Sequence, residues 1–90
     1  MDYCISFDKN LNITECFRSK SPLTPGTKVD IWRRNEDFSL AGLVIKAYDG
    51  LDAINKAKEY VNDSEFMKKI DADRKELLRI YPGGISIWIA

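Results

Sequence analysis

Apolar and polar residues alternate most clearly in the stretch TKVDIWRRNEDFSLAGLVIKAY, Thr27 to Tyr48. Val29 and Ile31 fall on one parity; Lys28, Asp30, Trp32 and Arg34 fall on the other. Side chains of an extended chain point alternately to opposite faces, so residues 27–34 predict a strand with one core side and one water side. Residues 40–48 are apolar on both parities through Leu43, Val44 and Ile45. That is the mark of a strand covered on both faces, or covered on one and in use on the other. Arg34-Asn35-Glu36-Asp37 supplies the turn between the two. Gly42 predicts a bulge or the close approach of another backbone.

The amino-terminal part predicts a smaller hairpin, residues 3–7 and 11–17 around Asp8-Lys9-Asn10. A three-residue loop ending in a left-handed Asn10 sets Phe7 opposite Leu11 and Ile5 opposite Ile13, which gives one continuous apolar face. Arg18–Gly26, with two prolines, two serines and a glycine, is a loop long enough to cross the sheet. Long loops are where binding residues tend to sit, so Arg18 and Lys20 are candidates.

Helical spacing then takes over. Leu51, Ile54, Ala57, Lys58 and Val61 predict a helix over 50–61, with Asp49 as N-cap and Asp52 in the first turn. Asn62-Asp63-Ser64 breaks it and caps a second helix over 64–81, whose stripe is Phe66, Ile70, Leu77 and Tyr81. That stripe lapses at Asp71-Ala72-Asp73, where the helix could break. Pro82-Gly83-Gly84 stops it, and an apolar last strand is expected over 85–89. Were that strand an open edge, Ile85, Ile87 and Trp88 would form a dimer seam; a place between other strands of the sheet is the preferred reading. The pattern therefore predicts one α+β domain: a two-layer, mostly antiparallel sheet of about five strands with two helices packed on one face.

Composition narrows the chemistry. Ninety residues suffice for one modest core and leave no room for a second domain. Fourteen basic side chains balance fourteen acidic ones. Residues 1–34 hold six basic and four acidic, and residues 35–90 hold eight and ten, an asymmetry too small to imply a nucleic-acid partner. Met1-Asp2-Tyr3 lacks the basic and apolar regions of a signal peptide, and no apolar run approaches a membrane span. The expectation is a cytoplasmic protein with Cys4 and Cys16 as free thiols. Asn, Lys and Ile richness and the short length suit a low-GC bacterial or phage genome.

The sequence contains no histidine. That removes the common zinc sites, Ser-His and Cys-His nucleophile pairs and the usual general base. Pro82-Gly83-Gly84 precedes a strand rather than a phosphate-loop helix, and Asp71–Glu76 puts Arg74 and Lys75 where a calcium loop needs an oxygen ligand and a glycine. Arg18, two residues from Cys16, would favour its thiolate. No base or oxyanion hole accompanies it, so enzyme is the poorest class and no cofactor or metal is expected.

Trp32 is the residue that stability explains least. Trp and Arg are enriched at interface hot spots because each joins large contact area to directional bonding. Lys28, Trp32 and Arg34 share a parity, and Lys46 and Tyr48 share one on the next strand, so the five form a candidate interaction face. The opposite reading has Trp32 facing the helices; parity does not say which face they cover. The leading expectation is a small non-catalytic protein, monomer or homodimer, that binds another protein as inhibitor or adaptor. Alternatives are nucleic-acid binding along Arg18, Lys20, Lys28, Arg33 and Arg34, and an oligomer holding a small ligand between subunits.

Overall fold

The computed structural model describes residues 1–84; the strand expected over 85–89 lies outside the described residues. Four strands, β1 (Asp2–Phe7), β2 (Ile13–Arg18), β3 (Val29–Arg34) and β4 (Leu40–Lys46), precede two helices, α1 (Gly50–Asn62) and α2 (Ser64–Ile80). The sheet order is β2-β1-β4-β3, with every neighbouring pair antiparallel. The fold is α+β: two hairpins joined side by side through their first and last strands.

Directly opposed residues share a face, so the register separates the two sides of the sheet. Tyr3 and Ile5 stand opposite Ile45 and Leu43, which stand opposite Val29 and Ile31, and Ile5 and Phe7 stand opposite Cys16 and Ile13. This face forms the core with Ala53 and Ala57 of α1 and Ile70 of α2. Alanine at the two inward positions lets α1 lie close to the strands. Ile5, Leu43 and Ile45 are fully buried, each burial contributing about 1.5–3 kcal/mol of transfer free energy.

Three of the departures from the sequence-based reading have a visible polar cause. The carboxylate of Asp8 accepts the backbone N–H groups of Asn10 and Asn12 at 2.8 and 2.9 Å. This widens the first hairpin loop, makes Leu11 (φ 64°) rather than Asn10 the left-handed residue, and sets Phe7 opposite Ile13, with a bulge between Ser6 and Phe7. β4 ends at Lys46 rather than at residue 48: Ala47 still exchanges backbone bonds with Met1, but the Tyr48 N–H turns away from the sheet and donates to the Asp52 carboxylate. Last, α2 runs unbroken through Asp71-Ala72-Asp73. Asp71 pairs with Lys75 at 3.2 Å, and Arg74 reaches out of the helix to Asp37.

Both helix starts are capped by side chains. Asp49 accepts from the Asp52 N–H, and Asp63 from the N–H groups of Glu65 and Phe66. Asp63 also ends α1, so one residue sets the angle between the helices. Asp63→Ala is expected to cost about 1 kcal/mol, read as a lower thermal midpoint with unchanged mass.

The far end of α2 is tied to the turn between β3 and β4. Arg74 Nε donates to the Asp37 carbonyl at 3.1 Å, and the rings of Tyr81 and Phe38 lie 6.3 Å apart. Gly84 has φ +74°, and a Cβ there would collide with the Glu36 carbonyl. Among the described residues, no helix is long and apolar enough to cross a membrane.

Candidate functional site

The sheet face away from the helices carries Cys4 and Ser6 of β1, Glu15 and Phe17 of β2, Asp30 of β3 and Gly42 and Val44 of β4. Trp32 belongs to this side. Its ring lies on Gly42, where a Cβ would stand 2.6 Å from Cε3. The reading in which Trp32 faces the helices is therefore corrected.

Trp32 stands on one outer strand and Phe17 on the other, with two strands between them, about 14 Å of sheet. Their side chains lean inward and meet edge to face, with ring centroids 5.3 Å apart at 81°. The Arg33 guanidinium sits 5.1 Å from the Trp32 ring centroid. Edge-to-face rings and a cation over an indole are both electrostatically favourable, so the three side chains hold one another in place. They form a bar across the middle of the sheet, and Cys4 and Ser6 below it are almost inaccessible. Among the described residues, the Ser6 hydroxyl there has no hydrogen-bond partner. The bar remains open to water on its outer side: Phe17 is 42% and Trp32 37% exposed.

The five residues of the sequence-based candidate face do not come together. Trp32 lies over Gly42, whereas Tyr48 is six residues further along, about 20 Å of extended chain, and is almost fully exposed. Arg34 is committed to the turn: its Nη1 donates to the Phe38 carbonyl at 2.8 Å. That bond steadies a fully buried aromatic in a left-handed backbone (φ 65°). Lys28 and Lys46 are joined through their backbones and line a recess of about 430 Å3 with Lys56, Glu59, Tyr60 and Asp63. Arg18 and Lys20 are exposed beside a loop tied to β1 by Ser19 N–H to the Asp2 carbonyl and Leu23 N–H to the Asp2 carboxylate. Phe17 and Arg33 take the places beside Trp32 that sequence reasoning gave to Tyr48 and Arg34.

A cleft of about 830 Å3 opens between α2 and the loops at the other end of the sheet, floored by Leu11, Leu40, Met67 and Ile70. Asp37 and Arg74 close one side of it. The Ser39 hydroxyl and N–H, followed by Arg74, hold the Asp37 carboxyl below the usual carboxylate range. This is an ion pair that locks a turn, with no proton to exchange near neutral pH.

Cys4 and Cys16 are free and lie on opposite faces of the sheet. Burial, then the neighbouring Cys4, pushes the Cys16 thiol above its ordinary value. Its sulfur lies 3.7 Å from the Gly50 carbonyl, an arrangement that fits a half-buried, idle thiol better than one activated by Arg18. Among the described residues, no group of three or more Cys, Asp or Glu side chains could hold a metal ion. Comparison with family models, with curated proteins and with solved structures returned no match, so the geometry alone carries the functional reading.

Proposed function

We propose that this chain is a small binding protein whose interface is the uncovered sheet face, and that its partner is another protein whose surface it occupies as inhibitor or adaptor. The observation that supports this is the bar of Phe17, Trp32 and Arg33. It joins large aromatic area to a directional cation on a rigid sheet, at the centre of the face the helices leave open. Preorganised anchors of this type lose little side-chain freedom on binding.

Nucleic-acid binding is the second reading, favoured by two exposed rings on an antiparallel sheet, an arrangement on which bases stack. The same face also presents Glu15 and Asp30, which repel phosphate.

The test is affinity capture from lysate with the tagged chain, with and without nuclease, beside Trp32→Ala/Arg33→Ala. The expected result is one stoichiometric protein that survives nuclease and is reduced at least about tenfold in the variant. Circular dichroism confirms that the variant remains folded. Recovery that depends on nucleic acid, or that the variant leaves unchanged, overturns the reading.

A further inference from the structure

The two outer strands of the sheet are not equivalent. Backbone bonds in an antiparallel pair alternate, so on an outer strand every second residue turns its N–H and C=O away from the sheet. In β3, Lys28 bonds inward to Lys46, which turns Val29 and Ile31 outward. The outward N–H of Ile31 is taken by the Asp30 carboxylate at 2.8 Å, and the pairing of β3 with β4 is irregular from Ile31 to Arg34. A bent, self-satisfied strand of this kind resists strand addition.

β2 has neither protection. Ser19 N–H bonds inward to Asp2, so Phe17 and Glu15 also bond inward while Cys16 and Arg18 present their backbone groups outward. Among the described residues, none of those outward N–H groups has a partner, and the pairing is regular from Glu15 to Arg18. An exposed aromatic, Phe17, stands on the same segment.

We infer that a second copy of this chain adds to β2, so that two sheets join edge to edge about a twofold axis. The sequence of β2 selects the register. With the axis perpendicular to the sheet, only residues of one face come opposite each other. A register centred on Glu15 opposes two carboxylates, and one centred on Arg18 opposes two guanidinium groups. A register centred on Cys16 sets each Glu15 against a Phe17 ring. Centring on Phe17 avoids all three. It makes Cys16 and Arg18 of the two copies hydrogen-bonded partners, and it leaves the two Phe17 rings as a non-hydrogen-bonded pair, where side chains approach most closely. Trp32, Phe17 and their two counterparts then form one aromatic band across an eight-stranded sheet. Zero net charge offers little repulsion between copies. This inference does not rest on the proposed partner, because the pairing uses the edge and leaves the open face accessible.

The experiment is sedimentation equilibrium of the whole chain in reducing buffer, from about 10 µM to about 1 mM, beside Phe17→Asp and Arg18→Pro. Among the described residues the Arg18 N–H makes no bond within its own chain, so proline there removes only the bond it would donate to the second copy. Circular dichroism and the thermal midpoint verify the fold of both variants. The expected wild-type mass rises toward twice 10.3 kDa, and each variant weakens association at least tenfold. Oxidative cross-linking fixes the register: Phe17→Cys in a Cys4→Ser/Cys16→Ser background, which removes the thiol opposite position 17 in the same chain, gives a covalent dimer, and wild type does not cross-link through Cys16. A wild type that stays monomeric, a dimer indifferent to both variants, or cross-linking through Cys16 overturns the inference. So does a chain that stays monomeric yet takes an extended peptide onto β2.

Discussion

Ile45→Ala is expected to lower the free energy of unfolding by about 2–5 kcal/mol, the largest single effect among the substitutions considered. Ile45 has no exposed surface, stands opposite Tyr3 on one side and Val29 on the other, and lies in the cluster that receives the alanines of α1. Truncation removes three carbons where strands hold the walls on both sides, so the cavity can collapse only in part. Leu77→Ala is the informative contrast. The apolar stripe of α2 predicts it to be as buried as Ile45, but it is only half-buried, and Ile70 is the one buried residue among those described in that helix. Its loss is expected to be about 1 kcal/mol. Urea unfolding followed by tryptophan fluorescence and circular dichroism measures both, with the slope checked for constancy so that midpoints convert to free energies. A cost below about 1 kcal/mol at Ile45, or equal costs at the two positions, would place the core elsewhere.

What could be read in the sequence and what could not divide along a physical line. Local patterns carry local structure: the alternation of Val29 and Ile31 gave β3, the helical spacing of Leu51, Ile54, Ala57, Lys58 and Val61 gave α1, although its buried face centres on Ala53 and Ala57 and leaves Leu51 exposed, and Asp49 and Asp63 sit at the caps expected of them. The face covered by the helices was not legible, because a period of two defines two faces and labels neither. Phe17 was missed for a related reason. A regular hairpin puts Phe17 on the parity of Ile13, toward the core. The bulge between Ser6 and Phe7 breaks that parity, so Ile13 and Cys16 face the helices and Phe17 turns to the open side. Two signals were present in the chain: Asp8 spaced to cap both Asn10 and Asn12, and a charged Glu15 that the regular register drives into the apolar face. The contact of Phe17 with Trp32 had no sequence signal. It depends on β1 pairing with β4, which brings the outer strands within reach across residues far apart in the chain.

Gly42→Ala is expected to cost about 1–3 kcal/mol, a large effect for one added methyl. Its Cβ would meet Trp32 Cε3 at 2.6 Å and the Ile5 carbonyl at 3.1 Å. Glycine therefore stands in the middle of a central strand because an indole from the next strand lies across it. The ring cannot simply slide away, since Phe17 abuts its edge and Arg33 stacks on its face. A double-mutant cycle with Trp32→Ala isolates this contact. With the indole gone, the added methyl meets only the Ile5 carbonyl, and alanine suits an extended backbone better than glycine, so the cost of Gly42→Ala is expected to fall below about 1 kcal/mol. The coupling should be at least about 1 kcal/mol; additivity within about 0.5 kcal/mol would mean that the ring does not rest on the strand. The same substitution also bears on binding. Gly42→Ala leaves Phe17, Trp32 and Arg33 in the sequence and only moves the bar that they form. If the interface depends on a preorganised arrangement, partner recovery should drop in Gly42→Ala as well as in Trp32→Ala/Arg33→Ala. If the indole acts merely as apolar area, binding should survive its displacement.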